Sequence, residues 1–319
     1  MRMFGGFSVF MEKTSYKKEP KTFQEQLDLL KKRGLDIPNE EKARRILQNI
    51  SYNRLSSYWY PLLKEPKEDE IFKEGVSFEA AFRLYQFDSE LRLLTFYAIE
   101  QIEVALRTQI IYHQSHKYNS GFWYEKPDAF QSYPQYAAFL NKICESVKST
   151  KEEFIKKYGR KYFEFIPPAW KSFEIISFTA LYSTYKNLRT SEDKNRISDH
   201  FRLNYNVFIS WMDTLVYIRN ICAHHSRLWN IKLTKSPVWL RSPRGAWVSR
   251  WENEEKNLST KDKELKCYAV FCIIAYLLNS VNPYHQFNRK LKELISSFPE
   301  VDIAHMGFTD YWLEEDLWK

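Results

Sequence analysis

From Ser77 to about His113 the apolar residues Leu84, Phe87, Leu91, Leu94, Ala98 and Ile102 recur at steps of three and four, one stripe of a long core helix. That periodicity, in a chain where clean strand alternation is scarce, predicts an all-α protein. Thr22 to Arg33 (TFQEQLDLLKKR) opens with Thr22 and Glu25 at capping-box spacing and stops at Gly34, so it is a short helix. Further helices are expected over about Pro38–Ile50, Pro134–Tyr158, Trp170–Asn187, Asn206–His225 and Lys261–Val281, with an aromatic-rich stretch at Asn53–Leu63. The charged run Lys64–Glu74 is the best candidate boundary, giving an N-terminal helical region over 1–75 and a main helical domain over 76–319. Leu228–Trp251, with Pro237, Pro243 and Gly245, is expected to be an irregular, tryptophan-rich connection or to hold a short hairpin.

Composition narrows the class further. With 44% apolar and 17% aromatic residues but 8 glycines and 12 prolines in 319, the chain is neither disordered nor of low complexity. Four scattered cysteines make no disulfide framework, which favours a reducing cytoplasm. Phe4–Phe10 is too short for a signal peptide, and Met11 is a second candidate start. The longest apolar run, Cys267–Asn279, falls short of the ~20 residues a bilayer requires and is expected to be a buried helix, so no membrane partner is expected.

The densest chemistry lies at Arg219–Asn230 (RNICAHHSRLWN). Phe208, Trp211, Leu215, Ile218 and Cys222 form an apolar seam on the helix that carries it, and Asp213, Tyr217, Asn220 and His224 form a polar stripe turned away from that seam. Arg219 stands about 140° from His224 on an ideal helix, so the two meet only if the arginine curls across Ala223 or reaches across a dimer axis. A histidine moves protons near neutrality, and a guanidinium matches phosphate oxygens. With Asn220 as an orienting amide, these parts suffice for phosphodiester cleavage without a metal or cofactor. Zinc on Cys222, His224 and His225 is disfavoured by their spacing, and the phosphate-loop, dinucleotide, zincin and hydrolase-elbow motifs are absent.

Charge concentrates in the same region. Between Arg202 and Arg250 eight lysines and arginines face one acid, Asp213, a net +7 of the chain's +8. Arg227, Lys232, Lys235, Arg241 and Arg244 interleave with Trp211, Trp229, Trp239, Trp247 and Trp251, a pattern suited to single-stranded nucleic acid, although composition alone favours tryptophans in a core beneath a solvated basic face. Asp88 with Arg92 and Glu103 with Arg107 sit four apart on the long helix and read as surface ion pairs. Glu103 and Glu174 are also candidate carboxylates for orienting the histidine.

Seven blocks carry a resemblance: Thr22–Gly34, Arg54–Tyr58 (RLSSY), Leu84–Arg92 (LYQFDSELR), Ile99–Thr108 (IEQIEVALRT), Pro168–Phe178 (PAWKSFEIISF), RNICAHHSRLWN and Phe298–Trp318. In this order they resemble the Abi-like (AbiD/AbiF type) abortive-infection proteins of the HEPN superfamily, with Ser57 and Thr179 where that pattern has glycine. The resemblance implies a HEPN-type helical bundle and a metal-independent endoribonuclease whose R-x4-6-H signature is Arg219 to His224, with His225 the neighbouring alternative and Asn220 the polar residue after the arginine. It implies a homodimer with a composite site, a role in phage defence, and in some members a toxin restrained by a small non-coding antitoxin RNA. The competing expectations are a non-catalytic module holding a cognate small RNA and a purely structural dimerisation module.

Overall fold

The computed structural model describes Ser15, residues 19–248 and residues 266–319. Phe4–Phe10, Met11, Arg250, Trp251 and the expected helix start at Lys261 lie outside the described residues. Within them the chain is all-helical: twelve α-helices joined by 3₁₀ turns, no strand, and three isolated bridges. Two compact units divide it, Met1–Tyr85 and Gln86–Lys319, and the charged stretch 64–74 lies inside the first.

Capping and amphipathic packing build the first unit. α1 (Phe23–Lys32) starts with the expected capping box: Thr22 Oγ1 accepts from the Glu25 amide, and the Glu25 carboxylate accepts from the Thr22 amide. It ends where Gly34 takes φ +89°, a left-handed conformation open to glycine at little cost. α2 (Glu40–Asn49) is capped by Asn39, and α3 (Tyr52–Trp59) by Ser51. Leu27, Leu30, Leu47, Leu55, Trp59 and Phe72 make one buried cluster.

α4 (Phe78–Tyr118) is the long helix read from the sequence, and from Gln86 onward it belongs to the second unit. Phe87, Leu91, Ala98 and Ile102 are buried as the stripe requires, and Ile99, Leu106 and Ile110 broaden it. Two expected helices prove to be interrupted. The stretch 134–158 divides into α5 (Tyr133–Ser149) and α6 (Glu153–Lys161), where Thr150 turns extended and its hydroxyl accepts from the Glu152 amide. The stretch 170–187 divides into α7 (Ala169–Ser172) and α8 (Phe178–Lys186), because Ser177 caps α8 through the Ala180 amide. α9 (Ser191–Ser198), capped by Thr190, precedes α10 (Tyr205–Ala223), capped by Asn204.

α11 (Cys267–Val281) has every residue from Cys267 to Leu278 buried, as the apolar run implied. It is the centre of the second unit's core, and no helix among the described residues is long and apolar enough to cross a membrane. α12 (Phe287–Ser297) and the C-terminal 3₁₀ turns close over it: Trp318 Nε1 donates to Tyr268 Oη at 2.9 Å, and Asn288 donates to the Leu317 carbonyl at 2.8 Å.

One close approach ties α4's end to α7. A Cβ on Gly121 would stand 2.5 Å from Trp170 Cη2 and 2.8 Å from Pro168 Cβ, while the Gly121 carbonyl accepts from the Ala169 amide at 2.7 Å. Gly121→Ala is therefore expected to destabilise the second unit by about 1–3 kcal/mol, as overpacking does. Urea unfolding followed by tryptophan fluorescence measures this, and an unchanged midpoint would mean that Trp170 swings away freely.

Candidate active site

α10 delivers the motif residues as its periodicity dictates. Phe208, Trp211, Leu215, Ile218 and Cys222 are buried, while Tyr217 and His224 are exposed and Asp213, Arg219 and Asn220 half-buried. Burial pushes the Cys222 thiol up to about 12, with nearby Asp88 adding to the rise and Arg92 opposing it. That thiol stays protonated at neutral pH and belongs to the core.

The helix ends in a Schellman turn. His224 is the C-cap, His225 takes φ +54°, the His225 amide donates to the Cys222 carbonyl at 3.1 Å, and the Ser226 amide donates to Ile221 at 3.0 Å. The usual glycine is replaced by a histidine, one of the residue types that tolerate left-handed geometry. The His224 amide donates to the Asn220 carbonyl at 3.0 Å, so Asn220 helps to hold the turn through its backbone. The His224 imidazole is exposed and makes no hydrogen bond with a described residue.

Arg219 is positioned by a neighbour the sequence did not single out. Its guanidinium stacks over the Phe96 ring at 5.5 Å, and Nη1 donates to Asn220 Oδ1 at a long 3.5 Å. Among the described residues it forms no ion pair, and Nε is buried without a hydrogen-bond partner. Glu103 stands close enough for Arg219 to favour its ionised form, but burial outweighs both Arg107 and Arg219 and leaves the Glu103 carboxyl above the usual range. Arg107 is the hub of this corner. It donates to Glu103 at 2.7 Å, to the Glu174 carboxylate at 3.3 Å and carbonyl at 3.0 Å, and to the Ile176 carbonyl at 3.4 Å. The two candidate carboxylates thus meet on Arg107, Glu103 largely enclosed and Glu174 half open.

The chain leaving the turn is held from within. Asp88 is fully buried, pairs with buried Arg92, and accepts from the Leu228 amide at 3.0 Å and from the Trp229 amide. On the other side Cys267 Sγ donates to the Leu228 carbonyl at 3.0 Å. The surface reading of Asp88 and Arg92 is therefore corrected: the i,i+4 pair forms, but inside the protein, because two backbone amides far along the chain require an acceptor there. Glu103–Arg107 is likewise mostly buried.

The expected RNA-binding residues separate into two groups. Arg227 is half-buried, and Lys232, Lys235, Arg241 and Arg244 are exposed, the last paired with Asp199 at 3.1 Å. Of the described tryptophans in this region only Trp239 keeps partial exposure, and the expected role of Trp229 in RNA binding is corrected to a place in the core. Trp229 is buried, Trp211 and Trp247 are buried and stacked at 5.4 Å, and Trp239 leans on Trp247 at 4.9 Å. From Leu228 to Val248 the connection has no helix or strand.

Among the described residues, fold and site define an all-helical class that ends one helix on an exposed histidine pair, with an arginine that makes no ion pair one turn earlier. A family model described as Abi-like protein matches residues 45–230, more than half of the sequence, and the chain belongs to that family. The match contains Asp88, Glu103, Glu174 and the whole Arg219–Asn230 block, while Thr22–Gly34, Phe298–Trp318 and the basic residues from Lys232 to Arg244 fall outside it. No curated protein and no solved structure matches the chain.

Proposed function

We propose that this protein is a HEPN-type endoribonuclease acting in abortive-infection defence, with Arg219, Asn220, His224 and His225 as its catalytic group. The observation that carries the reading is the state of Arg219: a guanidinium fixed on Phe96, without a described ionic partner, shares one helix end with an exposed imidazole. An unpaired arginine at such a place suits a phosphate.

In the proposed reaction a histidine takes the proton of the ribose 2′-OH, and the 2′ oxygen attacks phosphorus. The bond to the 5′ oxygen breaks, and that oxygen leaves with a proton from the other histidine in its imidazolium form, giving a 2′,3′-cyclic phosphate and a 5′-OH end. Arg219 neutralises the charge that develops on the phosphoryl oxygens. Asn220 orients Arg219 through Oδ1 and the His224 turn through its carbonyl. The HEPN-type domain would span 76–319, without a metal or cofactor in the chemistry.

A composite site in a homodimer is part of the proposal. Leu93, Tyr97 and Val104 are exposed along one side of α4, beside the turns that carry Phe96 and Glu103. A second copy covering that apolar stripe would bring its own motif to the same corner. Lys232, Lys235, Arg241 and Arg244 would draw the RNA backbone toward it, and a small cognate RNA held there would restrain the activity.

The test is a His224→Ala, His225→Ala double variant incubated with total RNA, with product ends read for 2′,3′-cyclic phosphate. Cleavage is expected to fall by about 10²–10⁴, the range for removing positioned acid–base groups. Undiminished cleavage would overturn the mechanism, and wild-type protein that binds RNA but returns it whole would identify a binding module instead. Sequencing RNA that co-purifies with the chain tests the cognate small RNA.

A further inference from the structure

A different surface carries aromatic rings in the open. Tyr162, Phe163, Phe165 and Trp170 are 47%, 106%, 54% and 53% exposed, so Phe163 projects entirely into solvent. Four rings within nine residues of one connector are a patch with a use, since each gives up the burial that normally stabilises it.

Cations stand beside two of these rings, and more line the same segment. Between Lys148 and Lys171 there are seven lysines and arginines and three acids, Glu152, Glu153 and Glu164. Arg160 is paired with Glu153 at 3.5 Å, and Glu164 lies against Tyr158. Lys148 Nζ stands 5.9 Å from the Phe165 ring, Lys161 5.2 Å from Tyr162, and Lys171 5.5 Å from Phe154. Tyr158 and Tyr162 are already stacked at 4.7 Å and 30°, the inner ring buried and the outer one open.

The segment is held in place. Tyr124 Oη donates to the Pro167 carbonyl at 2.6 Å, the Ala169 amide donates to Gly121, and one side of Trp170 rests on Gly121. The rings are thus presented on an anchored scaffold.

We infer that α6 and the connector 162–170 form a binding platform for single-stranded nucleic acid, with Tyr162, Phe163, Phe165 and Trp170 stacking bases and Lys148, Lys156, Lys157, Lys161 and Lys171 meeting phosphates. A ligand that offers flat apolar faces and a negative charge at every unit fits both features, and a duplex fits less well because its base faces are hidden. An anionic lipid surface would use the same cations, but Glu152, Glu153 and Glu164 interrupt the patch and oppose a flat negative sheet. The inference goes beyond the proposed cleavage, because it concerns binding and holds for a strand that is never cut.

The experiment reads fluorescence anisotropy of the full chain with a labelled 2′-O-methyl oligonucleotide of about 16 nucleotides, which cannot be cleaved through its 2′ oxygen. Phe163→Ala with Phe165→Ala is expected to weaken binding by about tenfold or more, Phe163→Tyr with Phe165→Tyr to retain it, and the matching duplex to bind more weakly. Lys156→Gln, Lys157→Gln and Lys161→Gln together are expected to flatten the log–log salt slope by about 2. The rings are exposed, so these variants should fold, and unchanged circular dichroism checks this. Undiminished strand binding by the double alanine variant overturns the inference. So does wild-type protein that ignores the strand but binds phosphatidylserine vesicles through Phe163 and Phe165. Because the probe is uncleavable, loss of binding here and loss of cleavage in the histidine variant are separate results.

Discussion

Asp88→Ala is expected to remove about 3–5 kcal/mol from the stability of the second unit and to abolish the proposed RNA cleavage with it. Three consequences coincide in that one change: the buried Arg92 guanidinium loses the Asp88 carboxylate, and the Leu228 and Trp229 amides each lose it as their acceptor. The turn carrying His224 and His225 leads directly into those amides, so releasing them releases the geometry of the motif. Urea unfolding monitored by tryptophan fluorescence reports on this unit, since nine of the ten tryptophans follow Gln86. Asp88→Asn keeps one oxygen for the two amides but sets an NH2 donor against Arg92 in place of the second carboxylate oxygen, and is expected to cost about 1–3 kcal/mol. A loss below about 1 kcal/mol in the alanine variant would show that the buried pair carries no such role.

Arg219→Ala is expected to lower RNA cleavage by about 10²–10³ while leaving the unfolding midpoint nearly unchanged. The two readouts separate because Arg219 is half-exposed and has no ionic partner among the described residues, so its removal strands no charge. Arg219→Lys should recover only part of the rate, since an ammonium lacks the planar fork for phosphate and stacks less well on Phe96. Cleavage by the alanine variant within about threefold of wild type would remove Arg219 from the proposed mechanism. Phe96→Leu offers a graded version: the arginine stays but its platform goes, so substrate affinity and rate should fall by less than in the alanine variant.

What could be read in the sequence followed local physics. The Thr22–Glu25 box, the Gly34 stop, the stripe on α4, the seam on α10 and the enclosed run at Cys267 are patterns within a few residues, and each appears where its spacing placed it. Breaks without glycine or proline are not legible locally: Thr150 ends α5 with its hydroxyl on the Glu152 amide and Ser177 starts α8 by capping, which helical propensity does not reveal. Asp88 and Arg92 have the spacing of a surface pair, and only partners 140 residues away make them internal. The tryptophans of the connection share a composition with stacking platforms, but burial decides their role, and burial is set by the rest of the fold. For the same reason the exposure of Phe163 and Phe165 is not legible in the sequence, since nothing in the segment's own pattern says that its rings stay outside.

The 140 residues between Asp88 and Leu228 also set a clock during synthesis. A ribosome adding ~5–20 residues per second takes about 7–28 s to travel that distance, and until then the carboxylate on α4 has neither of its amide donors. The loop bearing the histidine turn can be locked only after the chain has been made beyond Trp229. A product that ends before Leu228 therefore leaves the Asp88 carboxylate without these donors, and the turn after α10 is held only once more than two thirds of the 319 residues have been made.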